Sequence, residues 1–290
     1  MALPGSGQLS LLDIQGEFGG SAPISLSEYY GAAPGVPGSG QISISDFYGK
    51  ANTYNVEYLL VAGGGTNVYT GYNPWIGGGG AGGTIDSTAT LTPGSNYGVT
   101  IGAGGTNGQA QAPSSSVFGV TATGGGLGCN QGGGNNSGGS GGGGIGSGAA
   151  GISGQGNPGG PGGGTYVGGG GGGKVNAASG INGGNGINWK SLGTFYAGGG
   201  GGSGRSTPGT GGSGGGQPGN PSGGSGRAAP PNTGGGGSGA ENHPNTSLGR
   251  GGSGIVRLRY SGPQRGNGGS VTNTGGYTYH TFNSSGTYSA

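Results

Sequence analysis

Apolar residues in this 290-residue chain fall in a few short stretches, and the stretches carry two different patterns. Three of them, near the N-terminus, share one phrase: GQLSLLDIQGEFGG (7–20), APISLSEYYGA (22–32) and GQISISDFYGKA (40–51). Each sets a serine three positions before an acid, as Ser10/Asp13, Ser25/Glu28 and Ser43/Asp46. That spacing is a capping box, in which the serine oxygen and the carboxylate satisfy the free amides at a helix start. Ile14, Phe18, Tyr29, Tyr30, Phe47 and Tyr48 follow at once, and Gly16, Gly31 and Gly49 are placed to stop the turns. Turns this short are marginal alone, so they are expected to dock on each other or on a partner. GAAPGVPGSG (31–40) reads as a linker. Residues 1–51 are read as an attachment module for a larger assembly, with a small N-terminal cap as the alternative.

The second pattern is strand-like. YNVEYLLVA (54–62) reads as a buried strand running into GGG at 63–65. TIDSTATLT (84–92) and NYGVTIGA (96–103), separated by PGS, predict a hairpin, and SSVFGVTATGGG (115–126) a further strand. In SGIVRLRY (253–260), alternation puts Ile255, Arg257 and Arg259 on one face and Val256, Leu258 and Tyr260 on the other. The tail, 261–290, predicts a terminal hairpin or a returning strand. Its segment 277–282 is expected in the same sheet as 54–62 or 253–260.

Between these strands lies glycine, 93 residues of the 290. The runs concentrate in 124–254, with GGGG at 141–144, GGGGGG at 168–173 and GGGGG at 198–202. Glycine orders poorly as helix or strand and brings no side chain to bury. Collagen is excluded, because the runs break any G-X-Y repeat and 16 prolines are too few. The remaining ordered state is the extended threefold polyglycine helix, which makes no internal hydrogen bonds and must bond to its neighbours. Only a residue without Cβ allows such rods to approach on several sides. The fold class expected is mostly non-helical: a small β-sheet platform plus packed polyglycine II (left-handed extended) helices, with short N-terminal helical turns. The domains expected are 1–51, a glycine-rich domain over 54–260 with its polyglycine core at 124–254, and 261–290.

Charge and chemistry exclude more than they suggest. Net charge is +2 with charged residues at 6%, too sparse for a nucleic-acid stripe. Four carboxylates face Lys50 alone within 1–50, whereas 87–254 carries Lys174, Lys190, Arg205, Arg227 and Arg250 against Glu241. MALPGSGQLS lacks a signal peptide's charged and apolar regions, and no apolar run is long enough to span a membrane. Cys129 is alone, and His243 and His280 do not make up a zinc ligand set. GGGGGGKV (168–175) has Val175 where a phosphate-binding loop needs Ser or Thr. No catalytic residue, cofactor or metal is expected, and the chain is not read as an enzyme. The interruptions at 66–76 and 187–197 carry Tyr69, Tyr72, Trp75, Trp189, Phe195 and Tyr196, rings suited to receptor binding if exposed or to local packing if buried.

YNVEYLLVAGGG and GGSGIVRLRY resemble the opening and closing motifs of the glycine-rich domains of bacteriophage tail proteins. The resemblance covers roughly 54–260. The GQxSxxD and PISLSEYY phrases resemble the start of many phage tail and fibre proteins. More distantly, the glycine core is similar to the tip adhesins of T-even-like phages, which are sandwiches of polyglycine II helices with variable distal loops, although no match to their fibre-attachment domain is evident. The resemblance implies a virion tail protein, a fibre or adhesin meeting a host surface glycan or outer-membrane protein through loops between glycine helices. Residues 1–51 would bind other phage tail proteins, and analogy adds a homo-oligomer, a trimer. A structural tail-tip, baseplate or capsid decoration component without a receptor role is the alternative. An ice-binding or cell-wall protein, which would need a regular flat face, fits the irregular interruptions less well.

Overall fold

A computed structural model describes residues 2–68, 75–106, 111–129, 137–163, 167–221, 224–241 and 247–290. The N-terminal phrases form one helix, α1 (Leu11–Phe18), and two single 3-10 turns, Leu26–Tyr29 and Ile44–Phe47. All three capping boxes are closed, by Ser10 with Asp13, Ser25 with Glu28 and Ser43 with Asp46. Gly31 and Gly49 follow the two turns at φ 68° and 67°. Gly16 stays inside α1, which ends instead at Gly19, φ 79°. The turns dock on each other. Phe18, Tyr29 and Phe47 meet with ring centres 6.0–6.4 Å apart, and Leu3, Leu9, Ile14, Ala33 and Val36 complete a small core.

The platform is a five-stranded antiparallel sheet built from β1 (Tyr54–Val61), β2 (Thr84–Leu91), β8 (Ile255–Ser261), β9 (Ser270–Thr274) and β10 (Tyr277–Phe282), in the order β2-β1-β8-β10-β9. The C-terminal strand thus pairs within its own chain, Thr278 opposite Tyr260 and His280 opposite Leu258. One face buries Tyr54, Val56, Tyr58, Leu60, Val256, Leu258 and Tyr260. The small ladders β3 (Asn96–Val99) with β11 (Gly286–Ser289) and β4 (Ser115–Val117) with β5 (Val120–Ala122) pack over it. The predicted 84–103 hairpin does not form. β2 pairs with β1, while β3 pairs with β11, so Thr92–Ser95 carries the chain from one sheet to the other. Asn283–Ser285 does the same between β10 and β11. The true hairpin turns are Phe118-Gly119 and Gly275-Gly276, where both central residues have positive φ, as a tight two-residue turn requires.

The glycine runs form the polyglycine II rods, and their hydrogen bonds reveal the threefold period. Gly168 and Gly171 donate to the carbonyls of Ser203 and Gly200. Gly169 and Gly172 donate to Gly144 and Gly141, and Gly170 and Gly173 to Gly180 and Asn176, all at 2.8–3.0 Å. Every third amide therefore points at the same neighbour, as three residues per turn demands. The carbonyls of this rod accept from three further segments, through the amides of Gly78 and Ala81, of Asn157 and Gly160, and of Gly184. One rod thus has six neighbours, three reached as donor and three as acceptor. A Cβ added anywhere from Gly168 to Gly173 would come within 2.0–2.5 Å of a neighbour's backbone, so only glycine fits. The lattice is also wider than 124–254. Residues 76–83 form a rod of the same kind: Gly77, Gly80 and Gly83 donate to Cys129, Gly126 and Thr123, and Gly79 and Gly82 to Gly237 and Gly234.

The rods stand on end against the sheet. β1 runs into Gly63–Gly65 and the 76–83 rod runs into β2, so the Ala62, Gly83 and Gly254 ends are next to the platform. The turns at 145–147 and 204–207 lie at the opposite end, as do Ile76 and Ala240. The links are Gly168 to Ser203, Gly169 to Gly144, Ser203 to Ile76 and Ile76 to Ala240. Eight residues at ~3.1 Å each put roughly 25 Å between the two ends.

Candidate functional site

The described residues of the two interruptions singled out in the sequence lie at opposite ends of the lattice. Tyr69 and Tyr72 lie outside the described residues. Trp75 is at the end away from the sheet, bridged to Glu241, and is only 3% exposed. The 187–197 interruption lies at the sheet end. It is a miniature hairpin of β6 (Ile187–Asn188) and β7 (Phe195–Tyr196), joined by a tight turn in which Lys190 and Ser191 have φ 52° and 55°. Asn188 Oδ1 closes the loop by accepting the Gly193 amide at 3.0 Å.

This hairpin plugs the second face of the sheet. Trp189 is fully buried there, and its Nε1–H donates to Asp86 Oδ1 at 3.0 Å. The guanidinium groups of Arg257 and Arg259 stand 5.7 and 5.8 Å from its ring centre, within cation–π range. Arg259 Nε donates to Glu57 Oε2 at 2.6 Å, and Lys190 makes an ion pair with the other oxygen of the same carboxylate. These two cations, Arg259 first, hold the Glu57 carboxyl below its ordinary pKa. Arg257 donates to the Tyr196 hydroxyl at 3.2 Å and sits 5.6 Å from the Tyr279 ring centre. Leu59, Val61, Ile255 and Tyr279 pack in the same cluster.

Of the two readings of these rings, receptor binding if exposed or local packing if buried, packing holds for three of them, and their display toward a receptor is corrected. Trp189, Trp75 and Tyr196 are 0%, 3% and 5% exposed, because the sheet face and the rod ends need apolar cover that glycine cannot supply. Of the four described rings, Phe195 alone is presented outward, at 42%. The sequence marked the hairpin as distinctive. It did not reveal that Arg257 and Arg259, on the alternate face of β8, were its partners.

The structure also explains why the GGGGGGK phrase is not a phosphate cradle. Every amide from Gly168 to Gly173 is already bonded to a neighbouring rod, and Lys174 Nζ is tied to the carbonyls of Thr84 and Gly154 at 2.8 and 2.7 Å. Burial pulls the Lys174 pKa down from its ordinary value. Among the described residues, no three His, Cys, Asp or Glu side chains gather to hold a metal, and no helix is long and apolar enough to cross a membrane.

The end away from the sheet presents Gly146, Ser147, Arg205, Ser206 and Thr207, exposed on described turns. The class defined by this arrangement is a polyglycine lattice closed at one end by an antiparallel sheet. The family model described as "Glycine-rich domain" matches residues 43–261, more than half of the chain, and the chain belongs to that family. No curated protein and no solved structure matches it.

Proposed function

We propose that the chain is a virion tail protein, a fibre or adhesin that meets the host surface through the turns at the far end of the rods. The observation that carries this reading is the polarity of the lattice. One end is a sheet joined to an N-terminal module holding four carboxylates, with Leu12 of α1 left 69% exposed. The other end is a set of turns in which sequence can change without touching the rods. Amides bonded on three sides make the rods stiff, so the turns are held at a fixed standoff from the attachment end. The resemblance of 54–260 to phage tail domains supplies the setting, by analogy alone.

Residues 1–51 would bind a neighbouring tail protein, with the exposed Leu12 at the contact. Exchange of the exposed turn residues 205–207 for a Gly-Ser sequence of equal length is expected to abolish competition by the purified protein against virion adsorption, with the melting temperature unchanged. Full competition by the exchanged protein would instead favour a structural tail component with no receptor role.

A further inference from the structure

We infer that one flank of the lattice is a binding groove for a linear, neutral, β-linked polysaccharide. On this flank small polar side chains are exposed at every third residue, Asn176 and Ser179, then Asn182 and Asn185, with Thr210 and Ser213 on the adjoining rod, and Val175 and Ala177 are exposed beside them. Gly184, Gly186, Gly209 and Gly212 between them are buried. The side chains line a shallow groove of about 440 Å³.

The asparagines are locked in one orientation. Asn182 Oδ1 accepts from the Thr210 amide at 2.8 Å and from its hydroxyl at 3.1 Å. One turn further on, Asn185 Oδ1 accepts from the Ser213 amide at 3.1 Å and from its hydroxyl at 3.3 Å. A backbone amide can only donate, so in both residues the oxygen faces the neighbouring rod and the Nδ2 amino group faces out. Neither Nδ2 carries a hydrogen bond among the described residues. The result is a row of fixed donors repeating once per polyglycine turn, roughly 9.3 Å.

Three features select the occupant. The six side chains bear no charge, so an acidic or basic chain gains nothing there. The outward amides of Thr210 and Ser213 are already capped by the asparagine oxygens, so another glycine rod cannot extend the lattice. A β-strand repeats every two residues, about 6.7 Å, and falls out of step with the row. An extended β-linked glycan has a disaccharide repeat close to the pitch of the row and offers hydroxyl acceptors along its length. The groove is distinct from the far turns, and its test does not require the chain to serve in a virion.

The test is titration of the full chain with cello- and chito-oligosaccharides of two to six units, followed by the side-chain amide signals of Asn182 and Asn185. Both signals are expected to shift, with affinity rising about tenfold from the disaccharide to the hexasaccharide as a second turn of donors is engaged. N182D/N185D keeps the acceptors for Thr210 and Ser213 but deletes the donors, and is expected to bind about tenfold more weakly with the melting temperature held. S179A, which touches no lattice amide, serves if the double variant does not fold and is expected to weaken binding in the same direction. Unshifted signals, affinity independent of length, variants that bind like the parent, or the same shifts produced by a proline-rich peptide would each overturn the inference.

Discussion

Replacing Gly171 by alanine adds one methyl group and tests the lattice directly. The new Cβ would stand 2.0 Å from the Gly79 carbonyl oxygen and 2.5 Å from its carbon, both backbone atoms of the neighbouring rod. Ordinary contact begins beyond 3 Å, so the rods must separate by about an ångström. No side chain is present to rotate away. Separation on that side also strains the bond from the Gly200 amide to the Gly79 carbonyl, 2.9 Å, and that from the Gly171 amide to Gly200, 2.8 Å. Overpacking alone costs about 1–3 kcal/mol. Each buried backbone group left unpaired adds about 1–3 kcal/mol. A total near 4 kcal/mol is a large share of the 5–15 kcal/mol typical of a folded domain. Gly146 is the control: it lies on a rod-connecting turn with nothing within 4 Å of a Cβ and without a positive φ. Gly146→Ala is expected to change stability by less than about 1 kcal/mol, in the stabilising direction. Denaturant unfolding of both variants against the parent, with the midpoint shift converted through the slope, reads the difference. Equal midpoints for Gly171→Ala and Gly146→Ala would refute close rod packing at Gly171.

Three further outcomes follow from side-chain environments. His280 is buried between the Tyr260 hydroxyl, 3.0 Å from Nε2, and the Gly268 carbonyl, 2.8 Å from Nδ1, and burial holds its pKa below the ordinary 6.5. The unfolded chain therefore binds the proton first, so stability is fully present above about pH 6.5 and declines as pH falls through and below that value. Melting temperatures across that range should show the decline, and His280→Gln should flatten it. Trp189→Ala empties a fully buried site and is expected to cost about 3–5 kcal/mol in global unfolding, whereas Trp189→Phe loses chiefly the Asp86 bond, about 1 kcal/mol. Ser43→Ala opens one capping box and should speed amide exchange within 2–51 at a local cost of about 1 kcal/mol. Amides of the 168–173 rod should be unaffected, because the N-terminal residues have their own apolar core.

Much of this architecture was written in local pattern. The capping boxes depend on residues three apart, and the alternation in 253–260 places Val256, Leu258 and Tyr260 on the buried face as read. Glycine runs with no collagen period leave few ordered states, and the threefold rods follow. What was not legible is how the segments meet. IGGGGAGG at 76–83 is a short run outside the richest region, yet it is a rod bonded on all sides, since rod packing depends on neighbours and not on run length. The 84–103 hairpin failed because a good turn signal cannot outweigh two sheets that each need a strand. Which of the described aromatic rings are buried was not legible for a related reason. In a chain with so few large side chains, Trp189 and Trp75 are needed as cover where rods and sheet end, and burial takes precedence over display.

The proposed function requires a lattice that faces outward from residues 2–51 and the sheet, and a sub-nanometre map of the virion in which the chain is proposed to serve tests that most directly. The map is expected to show the rods standing off the tail, with residues 2–51 and the sheet against a neighbouring protein and the 145–147 and 204–207 turns at the exposed tip. Absence of the chain from the particle, or a lattice seated with those turns buried against the tail, would contradict it.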